Sequence, residues 1–145
     1  LQQIGIELEI MNLDIGAYVQ MAFGDLPAED RVSFFPASWG PDYDDAYNHL
    51  WPQVSCDAWQ SGNAGQYCND RVEDLLTFAR DAPDVERYDQ ALASIQQILS
   101  ADDPAAIYFA EPEWTTVLRS DIDGYVLNPV VSSLFDWYAL SRNTA

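Results

Sequence analysis

The stretch that decides the fold spans residues 69–99 and reads NDRVEDLLTFARDAPDVERYDQALASIQQIL. Its apolar residues recur at the three- and four-residue spacing of a helix that buries one face. This spacing predicts one helix over Asp70–Arg80, which the side chain of Asn69 is placed to cap. After the break at Pro83 it predicts a second helix over residues 85–99. The predicted buried residues of the two helices are Val72, Leu75, Leu76 and Ala79, then Val85, Tyr88, Leu92, Ile95 and Leu99.

Outward from this stretch, the pattern changes to short segments typical of strands. Residues 6–10 read IELEI and alternate apolar with acidic side chains, the period of a half-buried strand. Asp14 is placed to cap a short helix over residues 15–23, and Gly24 to end it. Further strands are predicted at residues 31–38, 106–109, 114–118 and 125–127. Mixed strands and helices in this order predict the α/β class, with a mixed sheet flanked by helices.

The charge of the chain limits its partners. Its 145 residues carry six basic residues, all arginine, against 24 acidic ones, for a net charge of −18. A surface of this sign repels phosphate backbones and anionic headgroups, so nucleic acid is not an expected partner, whereas ligands that carry an amine remain. The chain contains no apolar run long enough to span a bilayer. It begins at Leu1 without a signal peptide, so we expect a fragment of a longer protein.

Cys56 and Cys68 are the two cysteines of the chain, and a glycine-containing loop separates them. Their even number and this connection favour a local disulfide in an oxidising compartment over the alternative of two unpaired thiols. His49 is the single histidine, and no CxxC motif is present, so a metal site is poorly supported.

No catalytic constellation emerges from the sequence. It lacks the GxSxG motif of a serine hydrolase and any glycine-rich phosphate loop, so we expect neither enzymatic activity nor a cofactor. A pair of carboxylates acting in hydrolysis stays open as the alternative, because acidic residues are so numerous.

The segment SWGPDYD at residues 38–44 is the best candidate for a ligand contact. A predicted strand ends at Trp39, and a Gly-Pro turn then presents Asp42. An indole beside a carboxylate suits an ammonium group on an otherwise apolar ligand. Composition alone favours the alternative of a packed tryptophan followed by a solvated acidic turn.

Four motifs follow one another along the chain. They are Trp-Gly-x-Asp-Tyr at 39–43, Tyr-Cys-Asn-x-x-Val-(x)2-Leu-Leu at 67–76, Arg-Tyr-(x)6-Ile-(x)2-Ile-Leu-(x)4-Pro-Ala at 87–105, and Asp-Gly-Tyr-Val at 123–126. In this order they resemble the C-terminal lobe of the family 5 extracellular solute-binding proteins, the dipeptide-, oligopeptide- and nickel-binding components of ABC importers. The resemblance implies that residues 1–145 form a single domain. This domain would be a fragment of one lobe of a two-lobed, type II periplasmic-binding-protein fold that closes by a hinge.

The resemblance also implies a function and site residues. It implies a binding protein that captures short peptides, with nickel, haem or another ligand as alternatives. Its partners would be the missing N-terminal lobe and the membrane subunits of the importer, in the periplasm or outside the cell, including anchoring at the cell surface. Trp39 and Asp42 would contact the ligand, with Asp42 pairing with the peptide amine. Further pocket candidates are Tyr43, Asp44 and Tyr47. In dipeptide-binding members two cysteines are bridged at the positions of Cys56 and Cys68.

Overall fold

The structure is a computed structural model of the 145-residue chain, and it describes residues 1–111, 113, 115–128, 130 and 136–143. Helices dominate the described part, and the chain divides into two compact units, Leu1–Ala37 and Ser38–Ala145. The α-helices are α1 (Ile15–Phe23), α2 (Ala46–Val54), α3 (Asp70–Arg80) and α4 (Val85–Gln97). Short 3-10 turns lie at Gln2–Ile4, Ala28–Asp30 and Cys56–Ala58, and a π-helical turn, Ile98–Asp102, continues α4.

The first unit contains α1, which begins and ends as predicted. The Asp14 carboxylate accepts a hydrogen bond from the backbone N–H of Ala17 at 3.0 Å, and the helix ends at Phe23, directly before Gly24. The Tyr18 ring contacts Phe23 and Phe35 edge to face. Local capping signals were therefore sufficient to locate this helix.

Helices α3 and α4 confirm the central prediction. The Asn69 side chain accepts hydrogen bonds from the first backbone N–H groups of α3, and Asp84 caps α4 in the same manner. The second helix is shorter than predicted, because it ends at Gln97 and the chain widens into the π-helical turn. Asn69 also donates to the Asp103 carboxylate at 2.7 Å, which ties the start of α3 to the chain just after that turn.

One hydrophobic core lies between α2, α3 and α4, with Tyr47, Leu50, Trp51 and others packed at its border. Its buried members are Val54, Val72, Leu76, Ala79, Ala91, Leu92, Ile95, Ile98 and Leu99. The prediction was wrong for Val85, whose exposed fraction is 74%. The buried stripe of α4 starts one turn later, since Tyr88 is the first residue of that helix to pack against the core.

No element was predicted over residues 46–54, where the structure forms α2. Asp45 caps this helix by accepting from the backbone N–H of Tyr47 at 2.7 Å, and Pro52 lies inside its last turn. Proline has no N–H to donate and normally marks a helix boundary. Here the helix continues past it to Val54 before Ser55 ends it.

The predicted mixed sheet is the main correction. Among the described residues the sheet consists of two antiparallel strands, β1 (Ile122–Asp123) and β2 (Ser141–Arg142). None of the five predicted strands is formed there, although Trp114 of the fourth lies outside the described residues. A strand exists only where a neighbouring strand accepts and donates hydrogen bonds, and the described residues of these segments are not paired in this way. Helices with a small sheet are consistent with part of an α/β lobe.

Arginine side chains stabilise the β1–β2 pair from one side. Arg119 and Arg142 both donate to the Asp121 carboxylate, at 2.9 and 2.7 Å. Their guanidinium groups lower the pKa of Asp121 below its usual value.

In the described part of the chain, no helix is long and apolar enough to cross a membrane.

Candidate functional site

Residues 39–44, which the sequence predicts to contact a ligand, are called the ligand loop. This loop is held against α2 by hydrogen bonds to Asn48. The indole N–H of Trp39 donates to the backbone carbonyl of Asn48 at 3.0 Å. The backbone N–H of Asp42 donates to the side-chain Oδ1 of the same asparagine at 2.7 Å. The structure thus connects Trp39 and Asp42, the two main site residues predicted from the sequence, through a shared anchor.

Asn48, which holds this loop through two hydrogen bonds, was not among the site residues predicted from the sequence. It is 7% exposed, which is unusual for an amide side chain, and it lies in the first turn of α2. A buried amide is tolerated when it is hydrogen-bonded, and the ligand loop supplies partners for both its carbonyl and its Oδ1. A usable sequence signal existed in the Asp45 cap, because a helix starting there places Asn48 four residues before Pro52.

The acidic residues of the turn have different roles. Asp45 is committed to structure, since its carboxylate caps α2 and also accepts a hydrogen bond from the Tyr88 hydroxyl. Asp42 and Asp44 are exposed, and among the described residues no group donates a hydrogen bond to either carboxylate. Their negative charge is therefore available to a ligand.

Tyr43 and Tyr47 line a concave surface to which Trp39 and Asp42 do not contribute. They line a pocket of about 540 Å³ together with Asp45, Arg80 and Tyr88. The rest of its lining comes from the end of α3 and the start of α4: Ala79, Ala82, Pro83, Asp84 and Val85. Asp44 does not line this pocket. The five predicted site residues are thus not gathered into one cavity within the described part of the chain.

Burial raises the pKa of two side chains that line this pocket, Tyr47 and Tyr88. Burial, together with the hydrogen bond to Asp45, raises the pKa of Tyr88 to about 12. Burial also raises the pKa of Tyr47, against the opposing effect of the Arg80 charge. Both phenols are consequently neutral hydrogen-bonding groups at physiological pH.

The single histidine lies apart from this pocket. His49 lines a second, more apolar concavity of about 420 Å³ between α2 and the end of α4. Its neighbours there include Leu50, Leu99 and Tyr108. Over the residues that the structure describes, no group of three or more His, Cys, Asp or Glu side chains could hold a metal ion.

The disulfide between Cys56 and Cys68 is formed, with their Cα atoms 4.7 Å apart, as the sequence indicated. Inside the ring that it closes, the Asn63 amide donates to the carbonyls of Ser55 (2.9 Å) and Tyr67 (2.6 Å). Its Oδ1 accepts the Tyr67 N–H at 2.9 Å. The disulfide loop, residues 56–68, therefore has a closed and hydrogen-bonded shape.

Comparison with curated proteins confirms the resemblance that the four motifs indicated, to dipeptide-binding members of the family 5 extracellular solute-binding proteins. Di/tripeptide-binding protein 4 of Pseudomonas aeruginosa (strain UCBPP-PA14) is 31% identical over 140 residues, 93% of this chain and 24% of that protein. The dipeptide-binding protein of Escherichia coli (strain K12) is 26% identical over 139 residues, 92% of this chain and 24% of that protein.

A third relative is the probable D,D-dipeptide-binding periplasmic protein DdpA of the same Escherichia coli strain. It is 26% identical over 106 residues, 72% of this chain and 20% of that protein. The chain thus spans between 20 and 24% of the length of these relatives, which fits part of one lobe. No family model and no solved structure matches the chain.

Proposed function

We propose that this chain is part of the C-terminal lobe of a two-lobed, type II solute-binding protein that delivers short peptides to the membrane subunits of an ABC importer. The protein would bind and release its ligand without catalysis, in the periplasm or outside the cell. Relatives whose names describe di- and tripeptide binding support the peptide class. They also disfavour the hydrolase alternative, because all three are binding proteins.

One observation carries the proposed mechanism: the ligand loop is anchored through Asn48 while the Asp42 carboxylate points to no partner among the described residues. A backbone anchor fixes the position of Asp42 without using its charge. A peptide amine could then donate to this carboxylate, and the partly buried Trp39 would offer an apolar surface beside it. The large net negative charge of the chain also attracts the positively charged amine end of a peptide.

The proposed site is incomplete within this chain. The exposed Asp42 carboxylate lines neither of the two described concavities. We propose that enclosure comes from the second lobe of the full-length protein, since solute-binding pockets form between two closing lobes. Tyr43, Asp44 and Tyr47 would then contact parts of the ligand beyond the amine.

Calorimetry on the full-length protein tests this function with two peptides, one with a free amine and one N-acetylated. We expect Asp42→Asn to weaken binding of the free peptide by roughly 10- to 100-fold, the range for a hydrogen bond to a charged group. Acetylation should weaken binding to the natural protein similarly and have little further effect on the variant.

The matched control is Asp89→Asn, which removes an exposed charge on α4 outside the candidate site and should change affinity by about twofold or less. Equal effects of the two substitutions would refute a specific role for Asp42. Absence of binding to any short peptide would refute the peptide class itself.

A further inference from the structure

Pro52 interrupts the hydrogen-bond pattern of α2 at one defined carbonyl. In an α-helix the N–H of each residue donates to the carbonyl four residues earlier. Position 52 would therefore pair with the carbonyl of Asn48, but proline has no N–H. The carbonyl of Asn48 is left without this helical donor.

The same carbonyl accepts the indole N–H of Trp39 at 3.0 Å. Asn48 is buried, so its carbonyl needs a partner inside the protein, and a partly buried indole N–H needs an acceptor. Each group satisfies the other across nine residues of chain. An N–H at position 52 would compete with the indole for this carbonyl.

We infer that Pro52 is a positioning residue for the ligand loop. By lacking an N–H, it reserves the Asn48 carbonyl for Trp39, while the Asn48 side chain holds the backbone of Asp42. The consequence for peptide affinity rests on the function proposed above. The state of the Trp39 N–H does not, and it can be measured without ligand.

Pro52 is itself fixed from the opposite side. It is buried, and its carbonyl oxygen lies against Gly62 of the disulfide loop, so closely that a Cβ at Gly62 would come within 2.4 Å of it. The disulfide loop thus lies against the last turn of α2, and the ligand loop is bonded to its first turn.

The direct test replaces Pro52 by alanine in the full-length protein and follows hydrogen exchange of the Trp39 indole N–H by NMR. We expect exchange to become about fivefold faster, which corresponds to the loss of one typical net hydrogen bond. Peptide affinity should fall by a similar factor. The control is Pro104→Ala, at an exposed proline outside every helix, which should leave both readouts unchanged.

Because Pro52→Ala also removes buried contacts, a double-mutant cycle separates the two effects. Trp39→Phe removes the indole donor and leaves the Asn48 carbonyl unpaired, so the ratio of folded to unfolded protein should fall about fivefold in the natural background. In the Pro52→Ala background the new N–H can pair with that carbonyl, and the ratio should change by about twofold or less.

Unchanged indole exchange in Pro52→Ala, or equal effects of Trp39→Phe in both backgrounds, would overturn the inference and leave Pro52 a packing residue. Faster exchange with unchanged peptide affinity would uphold the positioning of Trp39. That outcome would instead contradict the role of Trp39 in the proposed function, so failure of the two proposals can be told apart.

Discussion

The helical region at residues 46–102 and the segments that were predicted as strands at residues 6–10 and 114–118 differ in where their apolar side chains lie. In the helical region, Val72 and Ile95 are completely buried. In the described residues of the two predicted strands, Ile10 and Val117 are 82% and 87% exposed. Both kinds of segment have sequences that predict burial of one face.

The difference shows how much each element depends on the rest of the chain. A helix forms its hydrogen bonds within itself, so it needs only a neighbour to cover its apolar face. A strand depends on a second strand for its hydrogen bonds as well as on a layer for its side chains. Short local sequences can therefore specify α3 and α4, but not a sheet.

The largest expected effect on stability comes from one of two isoleucine substitutions that test this comparison. Ile95→Ala removes side-chain atoms from the closed core, and we expect it to lower the free energy of unfolding by about 2–5 kcal/mol. Ile107→Ala, at a residue that is 72% exposed, should change it by about 0.5 kcal/mol or less. Urea denaturation followed by circular dichroism measures both. Similar losses of unfolding free energy in the two variants would mean that the segment around Ile107 is packed against other side chains in solution.

A smaller effect is expected within the disulfide loop, at two glycines three residues apart. Gly62→Ala would place a Cβ 2.4 Å from the Pro52 carbonyl oxygen, so we expect a loss of about 1–3 kcal/mol. Gly65→Ala is the matched control, because its Cβ would meet its nearest neighbour, the Ala105 carbonyl oxygen, at 3.9 Å. Thermal unfolding of the two variants separates them. Equal stability of the two variants would argue that Gly62 is not in close contact with the Pro52 carbonyl of α2.

The smallest expected effect on stability near neutral pH comes from two tyrosines of the helical region, Tyr67 and Tyr88. Burial, with the nearby Asp103 carboxylate, raises the pKa of Tyr67 to about 12, and burial with the Asp45 hydrogen bond does the same for Tyr88. The hydroxyl of Tyr67 is buried and lacks a hydrogen-bond partner among the described residues, so burial is the main cause.

Raised pKa values favour the folded state only while the phenols stay neutral in it. Their contribution to stability should be complete below about pH 10, where unfolded tyrosine is also neutral, and should be lost as the pH rises from about 10 to 12. Absorbance at the tyrosinate band should show that Tyr67 and Tyr88 ionise only near pH 12, together with falling stability. Ionisation of all eight tyrosines in one step near pH 10 would contradict this expectation.

The sequence predicted those features that are encoded locally. Asp14 and Asn69 located the starts of two helices, because a capping side chain acts within its own first turn. Helix α2 was not predicted, and it contains Pro52, a residue type that normally breaks a helix. The carbonyl that would pair with an N–H at position 52 accepts the Trp39 indole N–H instead. Such a tertiary substitution cannot be seen in the spacing of residues.

The candidate site was predicted in part for the same reason. The motif around Trp39 and Asp42 drew attention to the loop, but Asn48 could be recognised as its anchor only once a helix beginning after Asp45 had been predicted. Tyr43 and Tyr47 are close in sequence to Asp42 and were expected beside it. Instead they line the pocket to which Tyr88 also contributes. Helix geometry decides which surface a side chain joins, and that helix had not been predicted.

The amide of Asn63 draws together the same two parts of the chain that the bridge between Cys56 and Cys68 joins, because its two acceptors, Ser55 and Tyr67, each come directly before one of the cysteines. These polar contacts need no oxidant, so they can bring the two thiols into reach while the chain is still reduced. The crosslink then secures a conformation that already exists. We expect the newly made protein to acquire this bond quickly and with the correct pairing, and to keep the outline of the loop if the bond is later reduced.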